Sequence, residues 1–176
     1  QANRRVLIYN SIPTTNNASA DVVVGQQNFT SNSINQTGST TVAGANTFYA
    51  PTCVFSNGKR LFISDYNNHR VLIYNTIPTA NNASADVVVG QQNFTSNSIN
   101  QTGSTTVAGA NTLYKPVGVF SDGKRLFIAD YNNNRVLIYN SIPTTNNASA
   151  DVVIGQQNFT SRAINQTGST TVAGAN

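Results

Sequence analysis

Few side chains in this sequence can do chemistry, and most of them recur in one local pattern. Asp65-Tyr66-Asn67-Asn68-His69-Arg70 returns 65 positions later as Asp130-Tyr131-Asn132-Asn133-Asn134-Arg135. A carboxylate and a guanidinium that bracket a short polar turn could clamp a ligand, or could pair with each other and pin the turn. Repetition of the pair favours the structural role, and an exposed pair of this kind contributes only ~0–1 kcal/mol. His69 is the only histidine. An imidazole can act as a base or metal ligand, but the counterparts of His69 are Arg4 and Asn134, so it reads as a turn residue. Cys53 is the only cysteine and therefore forms no internal disulfide. Its counterpart is Gly118, which fits a small filler in a strand better than a nucleophile.

The remaining routes to catalysis lack parts. With no glutamate, one histidine and one cysteine, zinc would find few of its usual donors. The spacing of the aspartates is not that of a calcium loop. No glycine-rich phosphate loop opens a helix, and the many serines and threonines have no positioned base. We therefore expect no catalytic residues, no metal and no cofactor.

The elements that position these residues are set by repetition. Val-Leu-Ile-Tyr-Asn begins at Val6, Val71 and Val136, and Gly-Gln-Gln-Asn-Phe-Thr-Ser at Gly25, Gly90 and Gly155, each 65 positions after the last. Units this alike must solve one packing problem by docking on neighbours like themselves. They also yield identical local surfaces, whereas a catalytic site needs different groups converging on one point.

One unit reads as four short strands. Pro51–Ser56 is β-branched and aromatic, and Asn57-Gly58 after it signals a hairpin of type I′, with Asp122-Gly123 in the same place one unit later. Lys59–Ser64 and Arg70–Tyr74 follow as second and third strands around the polar turn Asp65–His69. Pro78 breaks the next segment, and Asp86–Gly90 is the fourth strand. Thr95–Asn111, rich in Ser, Thr, Asn and Gly, reads as a long loop to the next sheet. A lone four-stranded sheet cannot bury both faces, and face-to-face packing around a shared axis is one remedy.

Asp65-Tyr-Asn-Asn-His-Arg-Val-Leu-Ile-Tyr74, with Pro51, the Asn57–Ile63 tract and Tyr114-Lys-Pro-Val-Gly-Val119, resembles the NHL-repeat family. Asn134 stands where His69 does, and Thr95–Asn111 lies outside the likeness. The resemblance implies an all-β β-propeller of four-stranded antiparallel blades, with a half-blade and loop in 1–46, and a full blade and loop in each of 47–111 and 112–176. Such a chain would be an incomplete ring, completed by the rest of a longer parent chain or by self-association. A runner-up fold is a β-solenoid, which the hairpin turns disfavour. Family propellers are commonly interaction platforms, and some relatives are lyases with a metal in the central channel.

On that topology the turn at Asp65–His69 and the long loop share one face. The expected binding surface is there, at Tyr66, Asn67 and Asn68 and at Tyr131, Asn132 and Asn133. Asp65–Arg70 and Asp130–Arg135 are expected as structural turn pairs. Only 9% of residues are charged and the net charge is +4, with the basic residues scattered. A basic stripe for nucleic acid is therefore missing, and no apolar run is long enough to span a membrane. The amide- and hydroxyl-rich surface suits the outside of a cell. Asn-x-Ser/Thr sequons recur at Asn17, Asn28 and Asn35 and one and two units later, so glycan attachment is open. The expected function is a non-enzymatic scaffold for ligand binding, adhesion or assembly with protein or glycan partners. The alternatives are a self-assembling fibre or ring subunit and, less favoured, a metal-dependent lyase-like enzyme.

Overall fold

A computed structural model describes residues 3–171, so the outer ends of the first and third units, 1–2 and 172–176, lie outside the described residues. The described chain is all-β: ten strands form one two-stranded and two four-stranded antiparallel sheets. β1 (Val6–Ile8) pairs with β2 (Val22–Val24). β3 (Pro51–Ser56), β4 (Leu61–Asp65), β5 (Arg70–Tyr74) and β6 (Val87–Val89) form the second sheet in chain order. β7 (Gly118–Ser121), β8 (Leu126–Asp130), β9 (Arg135–Tyr139) and β10 (Val152–Ile154) form the third the same way. Apart from the strands, the regular elements among the described residues are single 3-10 turns. No helix of the described chain is long and apolar enough to cross a membrane.

Strand composition explains the layering. β4 and β5 are buried at every position, because both faces of the second sheet are covered. Leu61, Ile63, Leu72 and Tyr74 share a core with Val22, Val24 and Phe48 on one side. Phe62, Val71, Ile73 and Val87 share a core with Leu126, Ile128 and Leu137 on the other. Each fully buried aliphatic side chain contributes roughly 1.5–3 kcal/mol. Sequence positions 65 apart thus play the same part at both joints: Leu61 faces one core as Leu126 faces the next.

Two glycines key the joints. Gly25 has φ +89°, and a Cβ there would fall 2.0 Å from the Phe48 ring. Gly90 has φ +90°, and its Cβ would fall 2.5 Å from Leu113. The side chain that opens each following sheet is seated against the glycine that closes the sheet before it, and only a residue without a side chain leaves that room.

Two expectations change. The hairpin between β3 and β4 is a four-residue connection closed by Ser56 opposite Leu61. In it Gly58 has positive φ and Asn57 does not, so it is not a type I′ turn. The Asn57 side chain instead accepts the Lys59 and Arg60 N–H groups at 3.1 and 2.8 Å, the side-chain mimicry that asparagine and aspartate offer in turns. Asp122 does the same for Lys124 and Arg125. The long connection is also not an open loop. Ile99–Gln101 forms a 3-10 turn, Asn100 and Leu113 are buried, and the Asn100 N–H donates to the Leu113 carbonyl at 3.2 Å.

Candidate functional site

The turn between the second and third strands of each sheet holds the residues with chemical potential, and the register explains why. β4 ends with Asp65 opposite Arg70, the first residue of β5, as β8 ends with Asp130 opposite Arg135, the first of β9. Between them Tyr66–Asn68 makes one 3-10 turn, closed by His69 in the left-handed region at φ 53°. Asn134 closes the second copy at φ 52°. Asparagine enters that region more easily than most residues, so the exchange between copies is tolerated locally.

The acid–base pairs form, and they are buried rather than exposed. Arg70 Nε donates to Asp65 Oδ2 at 3.0 Å with both side chains fully inaccessible. Arg70 also donates to the carbonyls of Phe94, Gly44 and Thr47 at 2.7, 3.0 and 2.9 Å. Asp65 Oδ1 accepts the N–H groups of Tyr49 and Ala50. One guanidinium therefore ties its own sheet to the connection before it and the connection after it. Arg135 repeats the arrangement with Asp130, Phe159, Gly109 and Thr112. A buried pair is strongly harmed by loss of one partner, because the other charge is left stranded. Burial pushes the Asp130 carboxyl above its usual range, against the opposing charge of Arg135 and hydrogen bonds from Tyr114 and Asn133.

The expected display surface divides accordingly. Asn68 and Asn133 are buried, so they are not ligand contacts on this face. The Asn68 amide donates to Asn35 Oδ1 at 2.8 Å and to Asp65 Oδ2 at 2.7 Å, and Asn133 makes the same pair of bonds to Asn100 and Asp130. These asparagines join one sheet to the connection that precedes it. Tyr131 remains 60% exposed, while Tyr66, Asn67 and Asn132 are half-buried.

Residues without a motif gather beside these tyrosines. Lys115 Nζ lies 5.2 Å from the Tyr66 ring centre, and the Arg162 guanidinium lies 5.9 Å from that of Tyr114. His69 meets Tyr114 edge-on at 5.5 Å, and its Nδ1 accepts the Lys115 N–H at 3.3 Å. Burial and the Lys115 charge lower the His69 pKa to about 4. Cations over ring faces are worth ~0.5–1 kcal/mol when exposed. Arg162 and Tyr131 also line a hollow of about 460 Å³ with Asn132, Asn134 and Ile164. The only signal of Lys115 and Arg162 in the sequence is their departure from the repeat, since Ala50 and Asn97 hold the equivalent places.

Among the described residues no three His, Cys, Asp or Glu side chains converge as a metal-binding group would. Cys53 is half-buried with its thiol 3.8 Å from the Val119 carbonyl. The sequons separate by environment: Asn35 and Asn100 are buried, whereas Asn28, Asn93 and Asn158 are exposed. The sequence matches no protein-family model, and no curated protein is significantly similar to it.

Proposed function

We propose that this chain is a segment of an NHL-type β-propeller, acting without catalysis as a scaffold for ligand binding, adhesion or assembly at the cell surface or outside the cell. The observation that carries this reading is the division of labour within each unit. Asp65, Arg70 and Asn68 are spent on the joint between sheets, and their counterparts Asp130, Arg135 and Asn133 are spent identically at the next. Three of the positions that differ between copies, His69, Lys115 and Arg162, lie around half-buried tyrosines on the turn face. Tyrosines flanked by cations and amides suit glycan rings or polar protein surfaces. The low charge and the amide-rich surface are consistent with an extracellular setting.

The test is ligand capture by the whole chain on glycan and cell-surface protein arrays. The expected result is saturable capture that Tyr131→Ala with Arg162→Asn abolishes while the circular dichroism spectrum is unchanged. Capture indifferent to both substitutions would refute this face as the binding surface. A second reading, a self-assembling ring or fibre subunit, is favoured by one observation. Val152 and Ile154 are exposed at one end of the stack and Leu7 and Tyr9 at the other, and these are opposite halves of the joint made twice inside the chain. Filaments or concentration-dependent particles in electron micrographs would support it.

A further inference from the structure

Between the second and third units, four exchanges add or remove a charge or an imidazole: Ala50 to Lys115, Asn57 to Asp122, His69 to Asn134 and Asn97 to Arg162. Asp122 lies in the β7–β8 hairpin, at the far ends of the strands. The other three residues, His69, Lys115 and Arg162, meet around Tyr66 and Tyr114, where the third sheet begins.

The backbone changes with them. Ala50 donates its N–H to Asp65 Oδ1 at 3.3 Å, its carbonyl accepts from the Tyr66 N–H at 3.0 Å, and β3 starts at Pro51. Lys115 instead adopts φ 56°, in the left-handed region that Ala50 does not enter. Its N–H donates to His69 Nδ1 at 3.3 Å, the Asn132 N–H donates to the Tyr114 carbonyl at 3.1 Å, and β7 starts only at Gly118, the counterpart of Cys53. A lysine in this region is a local cost that its surroundings must maintain, and here its ammonium reaches Tyr66 of the preceding unit. Arg162 departs from its counterpart in the same way. Asn97 donates to the Thr40 carbonyl at 2.9 Å, whereas Arg162 donates to the Asn132 carbonyl at 2.8 Å and to Asn133 Oδ1 at 3.2 Å, beside Tyr114. Among the described residues neither Lys115 nor Arg162 has a carboxylate partner.

The distribution of charge decides what such a pair attracts. Asp21, Asp86, Asp122 and Asp151 are exposed and stand, with Lys59, Arg60, Lys124 and Arg125, at the strand ends away from the turn. Asp65 and Asp130 stand at the turn ends but are buried and held by Arg70 and Arg135. The opposite face is thus balanced, while among the described residues the turn face presents cations and no exposed aspartate.

We propose that Lys115 and Arg162 form a subsite for the acidic group of a saccharide, a sulfate or a carboxylate carried on a sugar ring. Two cations set among amides and hydroxyls match an isolated acidic group whose neighbouring ring hydroxyls need hydrogen-bond partners. A nucleic-acid backbone instead needs a row of cations to release its counterions. The subsite rests on the reading of the turn face as a glycan-binding scaffold, and names the class of glycan.

The test is calorimetric titration of the full chain, near neutral pH, with a sulfated dextran oligosaccharide, an oligogalacturonate and unsulfated dextran of the same length. The first two separate sulfate from carboxylate. Saturable binding of at least one charged oligosaccharide is expected, weakened by added salt, with dextran roughly ten-fold weaker or more. Lys115→Ala and Arg162→Asn install the residues of the preceding unit, and each should weaken binding roughly ten-fold, as loss of a charge-assisted contact does. Lys59→Ala with Lys124→Ala removes as much charge from the opposite face as the other two changes remove from the turn face, and should leave the affinity unchanged. The subsite is overturned by dextran binding as tightly, by equal losses from the opposite-face variant, or by no binding of either charged oligosaccharide. Tighter binding of single-stranded DNA through Lys115 and Arg162 overturns it as well. In each case, capture of a neutral glycan or a protein on the arrays would leave the scaffold reading standing, so the two fail separately.

Discussion

Replacing Gly90 with alanine separates the seating of one sheet on the next from the conformation of the backbone beneath it. Gly90 and Gly155 have nearly the same φ, +90° and +87°, but a Cβ at Gly90 meets three Leu113 side-chain atoms at 2.5–2.8 Å, and one at Gly155 meets only the Asn134 carbonyl at 3.2 Å and the Arg135 Cα at 3.6 Å. Both substitutions pay for a left-handed backbone, about 1–2 kcal/mol. Only Gly90→Ala must also displace Leu113, which is fully buried in the core between the second and third sheets. Overpacking of that kind costs typically ~1–3 kcal/mol. Gly90→Ala is therefore expected to destabilise by about 2–5 kcal/mol and Gly155→Ala by about 1–2 kcal/mol. Urea unfolding followed by circular dichroism reads both. Leu113→Ala alone should cost ~2–5 kcal/mol, and in its background the added cost of Gly90→Ala should fall towards that of Gly155→Ala without reaching it, because the Cβ of residue 113 stays 2.8 Å from the added methyl. Equal costs for the two glycines, or strict additivity of Gly90→Ala with Leu113→Ala, would refute the seating.

Three other predictions concern the polar joint and the turn face. Asp65→Ala strands the buried Arg70 guanidinium and is expected to cost about 3–5 kcal/mol, whereas the paired change Asp65→Leu with Arg70→Met should cost less than the single one; denaturant midpoints of the two variants decide it. His69 is held neutral, with its pKa depressed to about 4 from an unfolded value near ~6.5. Its contribution to stability is then complete above pH ~6.5 and is lost as the pH falls from there towards ~4, by at most about 3 kcal/mol. His69→Asn, the residue the next copy carries, should remove that part of the slope, and parallel stability–pH curves for the two proteins would exclude it. Expression through a glycosylating secretory pathway should load Asn28, Asn93 and Asn158 and spare Asn35 and Asn100, as mass spectrometry of the peptides would show.

Much of the architecture is legible in the sequence because repetition and alternation are both local signals. The strands at Pro51–Ser56 and Arg70–Tyr74 fall where β-branched runs between turn residues place them. The pairing of Asp65 with Arg70 follows from their flanking of one turn. Burial of that pair is not legible, because a charged or amide side chain reads as surface unless its partners are known. The same holds for Asn68 and Asn100, whose partners lie 33 positions away in the preceding or following unit. The connection over Thr95–Asn111 reads as solvated because its side chains are polar. It packs because those groups find main-chain and amide partners, as Gln101 does with the Asn111 carbonyl and the Asn147 side chain at 2.6 Å. The seats at Gly25 and Gly90 carry one signal, a glycine at a fixed distance before Phe48 and Leu113, which means nothing until sheets are known to stack.

The same economy explains where function can diverge in such an array. A residue at a joint is constrained twice, by its own sheet and by the neighbour that must accept it, so change there stays apolar and bulky, as from Phe48 to Leu113. The turn face has looser partners, such as the Tyr66 ring beside Lys115 and the Asn132 carbonyl that accepts from Arg162. Ala50 becomes Lys115 and Asn97 becomes Arg162 without disturbing the clamp beneath, since Arg135 keeps all four of its partners. New cations beside old tyrosines are therefore the cheapest way for one repeat to acquire a contact its siblings lack. Reverting Lys115 and Arg162 to the residues of the neighbouring copies should erase that distinction while leaving the unfolding midpoint almost unmoved.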